Sequence, residues 1–186
     1  MSRIAAFIMV TIDGYYEGPE QAFDFWVTGE DFDAFSVAQL DGAAGLVFGR
    51  HTYTGMAQYW PMDDAAAAAP EIAHRMNTLP KLVVSQRLVQ TSWQPTTIVR
   101  TITDLAAHAN AGTGELLVLG SPTLTASLAE AGLLDELRIM INPVAIGAGE
   151  SIFQSLTGRL RLSLIATRAF SSGNLLLSYA PERRKP

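Results

Sequence analysis

The sequence predicts an α/β fold: one sheet of about eight strands, mostly parallel, covered on both sides and finished by an antiparallel hairpin. Three observations predict it. Arg3–Ile12 (RIAAFIMVTI), Ala44–Phe48 and Glu115–Leu119 (ELLVL) are apolar runs without alternation, the pattern of strands buried on both faces. These runs end at glycine-marked turns and lead into segments with helical spacing, the order of βα units. Near the C-terminus, Leu160, Leu162 and Leu164 alternate with Arg161 and Ser163, and Ser171-Ser172-Gly173-Asn174 separates this run from Leu175–Tyr179. That is a half-exposed hairpin.

Taken in order, the first strand stops at Asp13-Gly14, a turn that continues as the loop Tyr15–Pro19. Phe23–Val27 is rich in aromatics. Thr28 and Asp31 have capping-box spacing, with Asp in the place of the preferred Glu, and a helix follows to Leu40 with Phe32, Phe35, Val37 and Leu40 facing the core. Glu30, Asp31 and Asp33 crowd its first turn, where carboxylates complement the helix dipole. Asp41-Gly42 stops it.

Leu46–Trp60 (LVFGRHTYTGMAQYW) then runs from a strand through Gly49-Arg50 into a helix spaced Tyr53, Met56, Ala57, Trp60, closed by Pro61. Met62–Ala69 reads as surface loop or a frayed helical turn, and Pro70–Asn77 as one or two turns of helix. Lys81–Ser85 and Thr96–Val99 are short strands flanking the loop Thr91–Pro95, and Thr103-Asp104 caps a helix to Ala111. Glu115–Leu119 ends at Gly120-Ser121-Pro122-Thr123, and Leu124–Ala131 is helical. Leu137–Val144 is a sixth strand. Ala145–Glu150 is a glycine-bearing loop, and Ile152-Phe153 docks back on the core.

Composition bounds the function. With 186 residues, 48% hydrophobic, the chain suffices for one well-buried core, so residues 1–186 read as a single domain. The net charge is −5, and Arg183-Arg184-Lys185 is the one basic run, a solvated tail. This speaks against a nucleic-acid surface. There is no cysteine, and His51, His74 and His108 lack metal-ligand spacing, so no metal is expected. The apolar N-terminal run of about nine residues falls short of the roughly 20 that a membrane-crossing helix needs, and no signal-peptide pattern precedes it. A soluble, cytoplasmic protein without a membrane partner is expected.

Four strand ends gather polar and glycine-marked groups: Asp13-Gly14, Gly49-Arg50-His51-Thr52, Ser85-Gln86-Arg87 and Gly120-Ser121. In a parallel sheet they share one edge, where α/β proteins place ligands. Two helix N-termini there suit the two halves of a pyrophosphate. Arg50 and Arg87 remain for a further phosphate, since arginine is suited to forked phosphate contacts. This favours NADPH over NADH. Spacing alone also fits ordinary βα turns carrying surface arginines.

The series GRHTY, YWP, KLVVS, VLGS and GLLDELRIMINPVAIGAGESIF, followed by a closing hairpin, resembles the dihydrofolate-reductase-like superfamily. More closely, it is similar to the C-terminal reductase domain of the bifunctional riboflavin-biosynthesis deaminase-reductase and its stand-alone bacterial relatives. The resemblance runs from TIDG at Thr11 to Tyr179. It implies a three-layer αβα sandwich with an eight-stranded, mainly parallel sheet, NADPH bound across the strand ends, and a homodimer. It places Ile12, Asp13, Gly49, Arg50, His51 and Thr52 at the cofactor, and Ser85 and Arg87 near the adenosine 2′-phosphate. Gly120, Ser121, Thr123 and Leu124 border the pyrophosphate and nicotinamide, and Gly147 and Gly149 line the site. Either Asp31 or Asp33 matches the helix carboxylate of dihydrofolate reductases, and Trp26 and Tyr53 are candidates to stack on a flat substrate. The chain departs from dihydrofolate reductases in having Gly120-Ser121 where they carry a Gly-Gly pair with a cis bond. It lacks the zinc motif of the deaminase half. The implied reaction is hydride transfer from NADPH to a small heterocycle, either a ribosylaminopyrimidine or a pterin. A non-catalytic nucleotide- or ligand-binding protein on the same fold is the alternative.

Overall fold

A computed structural model describes residues 1–182 of the chain; the basic run Arg183–Lys185 lies outside them. The sheet begins with β1 (Arg3–Thr11), the most enclosed strand. Ile4, Ala6, Ile8 and Val10 enter one core and Ala5 and Phe7 the other. This division follows from the two-residue period of a strand and explains why no alternation is visible in the sequence.

The other strands are β2 (Tyr15–Glu17), β3 (Ala43–Gly49), β4 (Lys81–Val84), β5 (Thr96–Val99), β6 (Glu115–Leu119), β7 (Glu136–Asn142), β8 (Glu150–Ser151), β9 (Leu162–Ala169) and β10 (Leu175–Pro181). The helices are α1 (Glu30–Asp41), α2 (Arg50–Tyr59), α3 (Asp63–Ala68), α4 (Pro70–Thr78), α5 (Ile102–Ala111) and α6 (Pro122–Glu130). Eight strands form one sheet in the order β5-β4-β3-β6-β1-β7-β10-β9. All pairings from β5 to β7 are parallel, and β10 runs antiparallel to both of its neighbours.

Residues of α5 and α6 pack into the core on one face, and residues of α1, α2 and α4 into the core on the other. The expected sandwich of three layers is therefore present, and α6 shows how its helices are built. Pro122 opens it, where the missing N–H costs nothing, and Leu124, Leu128 and Ala129 at helical spacing fill the core.

Several local expectations change. Gly29, not Thr28, caps α1, and no side chain closes a box there. In α5 the capping box is formed by Thr101 with Asp104 rather than at Thr103. Met62–Ala69 contains the helix α3. A two-stranded ribbon, β2 with β8, appears where the sequence suggested only loops. The bond Gly120–Ser121 is trans, since the cis peptide among the described residues is Gln94–Pro95. Finally, β9 is not half-exposed. Every residue from Ser163 to Ala169 is exposed, and a bulge at Ile165 breaks the strand's alternation.

Candidate active site at the strand-end edge

Because β5 to β7 are parallel, their C-terminal ends lie along one edge. In spatial order this edge carries Ser85, Gly49-Arg50, Gly120-Ser121, Ile12-Asp13 and Asn142. Val47 is the register partner of Val118, so two residues further on Gly49 and Gly120 come side by side. The turns β3–α2 and β6–α6, 69 residues apart in sequence, thus become neighbours.

A pair of hydrogen bonds locks these turns together. The N–H of Gly49 donates to Ser121 Oγ at 2.9 Å, and the N–H of Ser121 donates to Thr52 Oγ1 at 3.2 Å. Ser121 Oγ also donates to the carbonyl of Leu119 at 3.3 Å. Ser121 is 4% exposed and left-handed, with φ 49°, as is Gly120 with φ 61°. Two successive left-handed residues turn the chain sharply from β6 into α6. The Ser121 hydroxyl is therefore spent inside the fold. What the turns leave open are the first N–H groups of α2 and α6, unpaired within any helix. Thr123 is exposed, and Leu124 points its side chain into the core, so Leu124 can offer only its N–H.

Cations stand on one side of these turns. Arg50 is half-buried, and its Nη2 lies 2.7 Å from Nε2 of the exposed His51. Arg87 is exposed. The Ser85 hydroxyl accepts from the N–H groups of Arg87 (3.2 Å) and Leu88 (3.0 Å), which ties this turn together. Arg100, which sequence reading missed, holds this turn by donating to the carbonyls of Ser85 and Leu88. Its place just beyond β5 was the only signal for it.

At the end of β1, Ile12 is 67% exposed, an apolar surface in the middle of the edge. Asp13 beside it accepts hydrogen bonds from Thr11 Oγ1 (2.6 Å) and from the N–H groups of Ile146 (3.1 Å) and Gly147 (2.8 Å). These bonds, led by Thr11, hold its carboxyl below the usual range. Asp13 and Gly147 thus fasten the loop after β7 rather than presenting free polar groups. Gly149 is packed on β2: a Cβ there would lie 2.2 Å from the Glu17 carbonyl oxygen.

On the other side of the edge stand Trp26 and α1. Trp26 is half-buried and meets Phe25 edge-on at 4.5 Å. Asp31 Oδ2 accepts from the N–H of Ser171 at 2.5 Å, chiefly for which its carboxyl is held low. Its Oδ1 is buried without a partner, so Asp31 is an ionised acceptor tied to the β9–β10 turn. Asp33 is exposed. Tyr53 must be withdrawn as a substrate contact. It is 3% exposed, packs with Phe48 and Trp93, and its hydroxyl accepts from Trp93 N–H at 3.1 Å.

One carboxyl escaped the sequence reading. Glu17, on β2 opposite Glu150, is pushed up first by burial and then by Glu150, partly offset by His51. The only hint was its place in the loop after Asp13-Gly14. Among the described residues no cluster of His, Asp or Glu could hold a metal ion, and no helix is long and apolar enough to cross a membrane. A recess of about 1050 Å³ lies at the opposite end of the sheet, between the end of α6 and the start of β9, away from all of these groups.

Comparison with known proteins agrees with this geometry. Residues 3–176 match the family model of the RibD C-terminal domain. The uncharacterized Bacillus subtilis (strain 168) protein YyaP is 27% identical over 180 residues, covering 95% of this chain and 94% of its own. A Shewanella sp. PV-4 protein named for riboflavin biosynthesis superposes with a TM-score of 0.77 at 22% identity, over 97% of this chain and 99% of the other. A dihydrofolate reductase from Enterococcus faecalis, complexed with NADP(H), superposes with a TM-score of 0.67 at 15% identity, over 97% of each chain. The fold is thus dihydrofolate-reductase-like, and the chain, matched along nearly its whole length, belongs to the RibD C-terminal domain family.

Proposed function

We propose that the chain is an NADPH-dependent reductase acting on a small heterocycle, of the ribosylaminopyrimidine or pterin kind. One observation carries this: two helix N-termini, locked side by side by Ser121, with Arg50, His51 and Arg87 next to them. The donor set suits a dinucleotide carrying an extra phosphate. Gly120 adds no side chain where the two turns meet, so a pyrophosphate could approach the backbone closely.

In this reading the N–H groups of the first turns of α2 and α6, with Thr52 and Thr123, hold the pyrophosphate, and Arg50, His51 and Arg87 hold the 2′-phosphate. NADPH, when bound, supplies the hydride. The chain's own groups then orient and polarise. Ile12 and Trp26 offer apolar surface to flat rings. Asp31, kept ionised, sets a negative charge at the start of α1 on the same side as Trp26. Glu17 is the carboxyl whose surroundings best suit holding a proton.

Fluorescence titration with NADPH and NADH tests the proposal. NADPH should bind at least about tenfold tighter, and Arg50→Ala should remove most of that preference, a loss of about 1.4 kcal/mol. Equal binding of both cofactors by the wild type would reject the assignment of the cations. The observation that Asp31 is already tied to Ser171 supports a second reading, a binding protein without turnover. Tight NADPH binding with no oxidation over a panel of pterins and aminopyrimidines would favour it.

We further propose a homodimer formed through β9. This strand is exposed along seven residues, carries Leu164 (57% exposed) and Ile165 (54%), and has Arg168 as its only charge. An exposed edge strand carrying two large apolar side chains calls for a cover. Sedimentation should show a dimer for the wild type and a monomer for Ile165→Lys; a monomeric wild type would dismiss it.

A further inference from the structure

We infer that Asn142 and Asn174 are positioning residues that hold the segment between Gly18 and Gly29 against the strand-end edge by gripping both backbone polar groups of Val27. The Val27 N–H donates to Asn142 Oδ1 at 3.0 Å, and Asn174 Nδ2 donates to the Val27 carbonyl at 2.6 Å. Among the described residues, these are the hydrogen bonds that join residues 19–28 to the rest of the fold. The segment's other bonds are internal: Gly18 N–H to the Ala22 carbonyl, and Ala22 N–H to that of Pro19.

Little else would keep the segment in place. None of its residues from Pro19 to Thr28 is fully buried. Glu20 and Gln21 are both left-handed, with φ 58° and 61°, a conformation unfavourable for side chains of their kind. Segments with few buried contacts open first.

The two anchors, by contrast, are buried. Asn142 is fully buried at the end of β7, and its Nδ2 donates to the carbonyls of Val10 (3.2 Å) and Met140 (3.4 Å). Those bonds fix the amide so that Oδ1 faces Val27. Asn174 is 1% exposed, and its carbonyl accepts from Phe170 N–H at 2.9 Å, closing the β9–β10 turn. Buried amide groups are costly unless bonded: Asn142 bonds through both its oxygen and its nitrogen, while Asn174 bonds through Nδ2 alone and leaves Oδ1 without a partner among the described residues. Packing alone would be served better by leucine, so the choice of asparagine at both places points to the grip.

Trp26 precedes Val27, so its position follows from the clamp. Asn142 is the register partner of Thr11, which puts the strap beside the end of β1 and the exposed Ile12. Resting on the NADPH reading, this makes the clamp a control on how quickly the cofactor leaves, with little effect on the phosphate side of the site.

Hydrogen exchange on the free full-length protein tests the clamp without any ligand. In Asn142→Leu and in Asn174→Ala, amides 19–28 should exchange at least about tenfold faster while β7 and β10 keep their protection. Asn174, on a turn, provides the folded variant should Asn142→Leu fail to fold. Stopped-flow measurement should then show NADPH dissociating about tenfold faster with its association rate unchanged. Unaltered exchange in 19–28, or equal loosening of β7 and β10, would overturn the clamp. A looser strap with an unchanged dissociation rate would overturn its role at the cofactor. If the wild type binds no NADPH, the cofactor reading falls, and exchange alone still decides whether Asn142 and Asn174 hold the strap.

Discussion

Arg138→Leu should destabilise the fold by about 3 kcal/mol at neutral pH, the scale for breaking a buried ion pair from one side. Arg138 makes a forked contact with Glu115 (2.9 and 2.8 Å) and donates to Glu136 at 3.0 Å. The three side chains are 16%, 16% and 10% exposed. Arg3 also pairs with Glu136 and stands 3.8 Å from Glu115, but is itself 47% exposed. Leucine at 138 would leave two enclosed carboxylates with only this outer arginine.

The sign of the pH dependence separates this account from simple loss of packing. In the wild type, burial pushes the Glu136 carboxyl up, but the hydrogen bond and charge of Arg138, with Arg3, outweigh it and hold the carboxyl low. A depressed carboxyl stabilises the fold above its unfolded value of about 4.3, and that contribution is lost as the pH falls through the folded value. In Arg138→Leu the Glu136 carboxyl, enclosed without Arg138, is instead easier to protonate, so acidification relieves the variant while it weakens the wild type. Urea unfolding at pH 7 and near pH 4 should show the difference shrinking. A difference that does not change with pH would rule out the electrostatic origin.

Gly120→Ala should cost about 100-fold in NADPH affinity, roughly 2.7 kcal/mol, and a moderate loss of stability. At φ 61° a side chain strains the backbone by about 1–2 kcal/mol, and the new Cβ would sit 3.1 Å from Thr52 Cγ2. It would push against the turn that α2 offers to the phosphates. Gly132→Ala is the matched control: its φ is 69°, nothing lies within 4 Å of its Cβ, and it follows the far end of α6. Both variants should lose similar stability in thermal unfolding, and only Gly120→Ala should lose NADPH. Equal effects on binding would place the loss in general strain rather than in the site.

The central strands of the main sheet, β1, β3, β6 and β7, were legible in the sequence because burial on both faces demands apolar runs. The pair Gly49 and Gly120 was legible for a similar reason, each ending such a run just before a helix. What the polar side chains do there was not. Ser121 is spent on Gly49 because β6 lies beside β3, a non-local choice that no window of residues contains. Tyr53 was misread in the same way, and Ser85 and Asp13 likewise find partners inside the fold. The ribbon of β2 and β8 was hidden by its two- and three-residue strands, and α3 by alanines that favour helix without giving it a face. Asn142 and Asn174 carry no motif at all. Their meaning appears only once Val27 is seen between them.

The bonds between Gly49, Thr52 and Ser121 have a consequence for anyone who would exchange parts among relatives. Neither turn is an independent module. A loop transplanted at residues 49–52 would have to fit its backbone to Ser121 and supply an acceptor for the Ser121 N–H, and one transplanted at 120–123 would have to supply an acceptor for the Gly49 N–H. Chimeras should therefore be cut so that both segments come from the same parent, although 69 positions separate them along the chain.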